Sequence, residues 1–168
     1  MGLIAGHIRT ACAEADNRAA REAMMLGATT TGMAFSNASV ALVHGMSRPI
    51  GAFFHVPHGL SNAMLLPDIT AFSVPAALER YADCARAMGI AEEGEGSQGA
   101  VARLLDELRR LNADLKVPTP RAWGIDAGRY EELLPVMTSQ ALASGSPANN
   151  PRIPTSDEII DLYRRVYG

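Results

Sequence analysis

The stretch His44-Gly45-Met46-Ser47-Arg48-Pro49-Ile50-Gly51-Ala52-Phe53-Phe54-His55-Val56-Pro57-His58-Gly59 holds three of the four histidines in a chain of 168 residues. The helical pattern before it predicts a helix from Ser36 or Asn37 through Met46, ended by Arg48-Pro49, because a residue that precedes proline is pushed out of the α region. Pro49 to Pro57 reads as an apolar, irregular loop, and a second helix begins near His58 with Leu60, Met64, Leu65 and Ile69. His44 therefore falls near the end of one predicted helix and His58 at the start of another. A loop of that length can turn the chain back, so that both imidazoles face one point. Neutral imidazole is a ligand for Zn²⁺ or Fe²⁺ at about 2.0–2.2 Å. Two histidines near helix ends are more often capping groups or satisfied core residues, and the spacing does not decide between the readings.

Outward from this stretch the periodicity is helical, with no alternating β-branched runs and no Asn-Gly or Asp-Gly hairpin turn. Leu3 to Ala15 predicts a short helix. Asp16 or Asn17 caps the next, which runs to about Met33 and places Ala20, Ala23, Met24, Gly27, Ala28 and Thr31 on one small-residue face. That face predicts a central, well-covered element. Pro75 opens an amphipathic helix to Met88 closed by Gly89, and Glu92 to Gly99 is an acidic, glycine-rich loop. Ala100 to Leu115 carries the stripe Val101, Leu104, Leu105, Leu108, Leu111, and Asp126 to Ala143 contains another helix. Thr155 with Glu158 three residues on is a capping-box signature for a last helix. The expected fold is all-α: one domain over residues 1–168, a single bundle of about seven or eight helices.

Composition bounds the function. Hydrophobic residues make up 48% and charged residues 20%, with a formal net charge of -3. No basic face calls for a nucleic acid or an anionic membrane, and no run of residues reads as a membrane span or secretory leader. Cys12 and Cys84 read as small buried hydrophobes in a reducing cytoplasm. Met24, Met25, Met33, Met46 and Met64 read as core filler, and His55 as facing solvent or a helix end.

Three segments together, Ala34-Phe35-Ser36-Asn37-Ala38, Val43-His44-Gly45-Met46 and Pro57-His58-Gly59-Leu60-Ser61-Asn62-Ala63-Met64-Leu65-Leu66-Pro67, resemble the signature of the iron-containing (group III) alcohol dehydrogenases in order and spacing. Asn17 to Met24 resembles the helix before that signature, and Asn150-Pro151-Arg152 with the capped last helix resembles the family's C-terminus. The likeness spans the whole chain. Maleylacetate reductases and glycerol dehydrogenases share the fold, but Pro57-His58-Gly59 followed by Asn62-Ala63 is more similar to the lactaldehyde and butanol dehydrogenase type.

The resemblance implies the C-terminal helical domain of the dehydroquinate synthase-like fold. It also implies one divalent metal, Fe²⁺ or sometimes Zn²⁺, held by an Asp and three His, of which two match His44 and His58. The other two ligands are expected from sequence preceding Met1, together with the NAD(P)-binding α/β domain. Gly94 and Gly96 lie in an acidic loop with no strand before them and supply no dinucleotide turn. The chain is thus expected to bind metal weakly, to be inactive alone, and to be an expressed domain or a truncated product.

Phe35 resembles a residue lining the nicotinamide cleft; plain core packing explains it equally well. Arg48 replaces a family histidine that lies near the nicotinamide. Arginine stays protonated and is no neutral proton shuttle, so it is expected to shape the pocket and pair with an anionic group of the substrate or cofactor. The substrate class implied is an alcohol or aldehyde. An apolar wall around Phe35, Phe53 and Phe54 is expected to drive homo-oligomerisation. A non-catalytic helical module for oligomerisation or binding is the alternative reading.

Overall fold

The computed structural model describes residues 1–168 and contains nine α-helices, two 3₁₀ turns and no strand. The all-α expectation holds. The helices fall into two compact units: Met1–Ser39 with Ala77–Leu115, and Val40–Ala76 with Lys116–Gly168.

The first unit contains α1 (Gly2–Ala13), α2 (Arg18–Ala38), α5 (Leu78–Ala87) and α6 (Ser97–Asp114). Asn17 caps α2 as its residue type suggests, its side-chain oxygen accepting from the Ala20 N–H at 3.0 Å. Gly27 permits the contact of α1 with α2, since a Cβ there would stand 2.7 Å from Ile4 Cγ1. Along α6, Ala100, Val101, Leu104 and Leu108 are buried, and on α5 Ala82 and Ala85. Arg9 ties α1 to α6 through Glu107 at 2.8 Å and Asp114 at 2.7 Å.

Several expectations for this unit are corrected. The helix α2 is not a covered element: only Ala20 and Gly27 are buried, while Ala28 and Thr31 are exposed. It also runs past Met33 to Ala38, through the residues expected to start a new helix. The physical reason lies in the polar side chains. Thr29, Thr30, Ser36 and Asn37 each donate to the carbonyl one turn back, so they sit on their own helix instead of capping another. Met25 and Met33 are exposed rather than core filler, and Cys12 is exposed while Cys84 is half-buried; neither is in a disulfide.

The second unit holds α3 (Leu42–Phe54), α4 (His58–Ser73), α7 (Pro120–Trp123), α8 (Ala127–Ala143) and α9 (Ser156–Tyr167). Its core gathers Leu42, Met46 and Ile50 from α3, Met64, Leu65, Ile69 and Phe72 from α4, Leu133, Leu134 and Met137 from α8, and Ile159, Leu162, Tyr163 and Val166 from α9. Pro49 does not end α3, as the sequence led us to expect, and Pro67 and Pro135 likewise lie inside α4 and α8. An interior proline costs about 3 kcal/mol. Leu42, Met46 and Ile50, at four-residue spacing and each 0% exposed, return more than that, at roughly 1.5–3 kcal/mol per buried side chain. The loop expected over Pro49–Pro57 is therefore mostly helix, and Phe53 and Phe54 are half-buried against this core instead of forming an open wall.

The end of the chain follows its local signals. Thr155 and Glu158 form the reciprocal capping box that starts α9. Asn150, buried, donates to Ser73 Oγ at 2.9 Å and to the Arg152 carbonyl, and Asn149 donates to the Val40 carbonyl at 3.0 Å. These side chains fix the approach to α9, a structural role.

Two tyrosines join the core helices through their hydroxyls: Tyr163 donates to the Met46 carbonyl at 2.8 Å, and Tyr130 to the Tyr163 carbonyl at 3.2 Å. Burial raises the pKa of both, and neighbouring ionisable groups raise it further. A raised folded-state value contributes stability that is complete below the ordinary tyrosine value near 10 and is lost as pH rises beyond it. Alkaline titration should therefore show Tyr130 and Tyr163 ionising only as this unit unfolds. Tyrosinate absorbance and circular dichroism followed together check it; full ionisation of all four tyrosines with helicity retained would contradict it.

Candidate metal centre

The two histidines are positioned by separate devices. His44 is the third residue of α3, in the first turn of a helix and not near the end of a preceding one as expected, and lies next to the buried Gly45. A Cβ on Gly45 would stand 3.1 Å from the Pro147 ring, so glycine sets how closely α3 approaches the 3₁₀ turn Ser146–Asn149. After Phe54 the chain reverses at His55, which is exposed and adopts the left-handed conformation at φ 54°. The short link then passes back over α3, where the Val56 carbonyl lies 3.3 Å from the Cβ position of Gly51. Pro57 leads into His58, the first residue of α4.

This reversal brings the rings of His44 and His58 to 5.3 Å between centroids, tilted by 56°. Two imidazoles that share one tetrahedral ion at a nitrogen distance of about 2.0–2.1 Å have ring centres about 5 Å apart. The separation of the rings is the one a shared divalent ion would require. Burial lowers the pKa of His44, and the charges of His58 and Arg48 lower it further. The neutral ring, the form that ligates metal, is favoured. No third His, Cys, Asp or Glu joins them to make a group of three. On these residues the chain supplies two donors.

Arg48 follows His44 by one turn of α3. Its side chain is exposed, forms no ion pair, and makes one long hydrogen bond of 3.4 Å to Ser146 Oγ. The guanidinium is available to an anion. Phe35 belongs to α2 in the first unit and is 51% exposed. Asn62 was named from sequence only as part of the signature and given no role, although it follows His58 by four residues on α4. Its amide nitrogen lies 3.1 Å from His58 Nε2. The signal that could have found it is the i,i+4 spacing from a helix-starting histidine.

Comparison with known proteins places the chain. The solved structure of a 1,3-propanediol oxidoreductase superposes with a TM-score of 0.90 at 34% identity, over 98% of this chain and 42% of that one. This defines the fold as that of part of a larger oxidoreductase structure. The chain belongs to the iron-containing alcohol dehydrogenases: the family described as "Fe-containing alcohol dehydrogenase family, C-terminal" matches residues 1–167. Among its relatives, the lactaldehyde reductase of Escherichia coli strain K12 is 36% identical over 165 residues, 98% of this chain and 42% of that protein. The 1,3-propanediol dehydrogenase of Citrobacter freundii is 34% identical over the same shares. The chain thus spans about 42% of the length of these relatives. No helix is long and apolar enough to cross a membrane.

Proposed function

We propose that this chain is the helical, metal-binding part of an NAD(P)-linked alcohol dehydrogenase, and that His44 and His58 supply two of the ligands to a catalytic Fe²⁺ or Zn²⁺. The observation that carries this is the 5.3 Å approach of two imidazoles within a segment that matches the iron-containing family. A divalent ion bound there supplies Lewis acidity toward the oxygen of an alcohol or aldehyde during hydride exchange with nicotinamide. His44 and His58 contribute neutral nitrogen donors from α3 and α4. With two donors, metal binding by the chain alone is weak and turnover is negligible.

The test joins this chain in one polypeptide to the portion of Escherichia coli lactaldehyde reductase that it does not span. NAD(P)H-dependent aldehyde reduction by the joined protein with Fe²⁺, lost in His44→Ala and absent from the chain alone, supports the proposal. Turnover by the chain alone, or turnover that survives His44→Ala, overturns it.

Arg48 narrows the substrate class. A permanent cation without an ion pair, one helical turn from His44, favours a substrate that carries a carboxylate or another anionic group. In the joined protein, Arg48→Ala should raise KM for an acid-bearing aldehyde by about tenfold or more, the effect of one lost charge-assisted hydrogen bond, and leave simple alkanals unchanged. Equal efficiency on both classes, unaffected by Arg48→Ala, contradicts it.

A second reading has one observation in its favour. Met25, Leu26, Met33 and Phe35 are all more than half exposed on α2, and such apolar surface promotes association between copies of the chain. Light scattering across a wide concentration range should show oligomers; a monomer throughout counts against it.

A further inference from the structure

Asn62 stands one turn after His58 on α4, and its side-chain nitrogen lies 3.1 Å from His58 Nε2. An amide nitrogen carries only donors, so the ring nitrogen it meets must accept. Acceptance requires Nε2 to be unprotonated, which puts the proton of the neutral ring on Nδ1. The other end of the same carboxamide is constrained as well. Asn62 Oδ1 is buried and has no hydrogen-bond partner. Turning the carboxamide over would bury its NH₂ group without an acceptor instead, and an orphaned N–H donor is tolerated less well than an under-used carbonyl oxygen. The present orientation is therefore the cheaper of the two.

We infer that Asn62 is a positioning residue for His58: its carboxamide holds the ring in the Nδ1–H tautomer and keeps the Nε2 lone pair as the ligating position. Free neutral imidazole of histidine favours the opposite, Nε2–H tautomer, so the amide acts against the intrinsic preference. The same amide also covers that lone pair, and an incoming cation must displace it. Asn62 thus presets the ligand nitrogen and competes with the ion for it. The tautomer stands independently of whether a metal is the natural occupant; the competition rests on the proposed metal-binding reading.

The two claims separate by experiment. Long-range ¹H–¹⁵N correlation spectra of the metal-free full chain, recorded where histidine is neutral and assigned with His58→Ala, read the tautomer directly. The expected result is Nδ1–H for His58 in the wild type. Asn62→Ala should revert it to mainly Nε2–H, and Asn62→Asp, whose carboxylate only accepts, should hold it fully as Nε2–H. An Nε2–H ring in the wild type, or an Nδ1–H ring that persists in Asn62→Asp, overturns the inference, and neither result depends on metal or on Asn62→Ala remaining folded. Zn²⁺ titration then tests competition. Asn62→Ala should bind between about two- and tenfold tighter, the effect of one hydrogen bond no longer displaced. Unchanged or weaker binding removes the competition, and absence of any binding in both chains removes the metal-binding reading while leaving the tautomer result intact.

Discussion

Tyr163→Ala should lower the stability of the second unit by about 4 kcal/mol, the scale of truncating a buried aromatic ring. Tyr163 is 0% exposed, packs edge-on against Tyr130 with ring centroids 6.3 Å apart, and reaches across from α9 to donate to the Met46 carbonyl. Truncation removes the ring from the place where α3, α8 and α9 meet and leaves that carbonyl inside α3 without its extra donor. Tyr163→Phe keeps the ring and should lose only about 1 kcal/mol, the net value of a typical hydrogen bond. Urea unfolding followed by the fluorescence of Trp123, the single tryptophan and a member of this unit, measures both. Equal losses for the two variants would show that the hydroxyl, and not the packing, carries the joint.

His44→Ala and His58→Ala should each abolish measurable metal binding by the chain. A site with two protein donors already leaves much of the coordination sphere to water, and removing either leaves one imidazole. Changes outside the ligand sphere of a metal typically lower affinity by roughly 10–100-fold, so loss of a ligand from a half-set should exceed that range. His7→Ala should have no effect, because His7 lies on α1, where its Nδ1 pairs with the Leu3 carbonyl. Metal content after equilibration with Fe²⁺ or Zn²⁺ reads all three. Retention of metal by either His44→Ala or His58→Ala assigns the binding elsewhere.

The sequence signals that survive into the structure are those that act over one turn of chain. Asn17 and the Thr155–Glu158 pair cap helices where their side-chain chemistry says they should. The stripe on α6 is buried at Val101, Leu104 and Leu108 as its period requires. What escaped notice depends on tertiary packing or on competing local bonds. Pro49 reads as a stop, and only the burial of Leu42, Met46 and Ile50 carries α3 through it. Ser36 and Asn37 read as caps, but each bonds back to its own helix. Small residues on α2 suggested a crowded position, yet their size records one close approach, at Gly27.

The histidine pair shows the same division. Its residues stood out in the sequence because the surrounding signature resembles a known family. The path between them did not, since the expected long loop is a helix followed by a three-residue reversal through a left-handed histidine. The role of Asn62 was not legible, because neither its place in the signature nor its i,i+4 spacing from His58 tells that its amide meets the ring.

X-ray absorption of the Zn²⁺-loaded chain tests the central claim most directly, because imidazole rings produce a multiple-scattering pattern that can be counted. Two imidazoles at about 2.0 Å, with the remaining positions filled by light oxygen donors, are predicted, with no bound metal in His58→Ala. A sphere of oxygen alone, one that contains sulfur from Cys12 or Cys84, or two rings that persist in His58→Ala would contradict it.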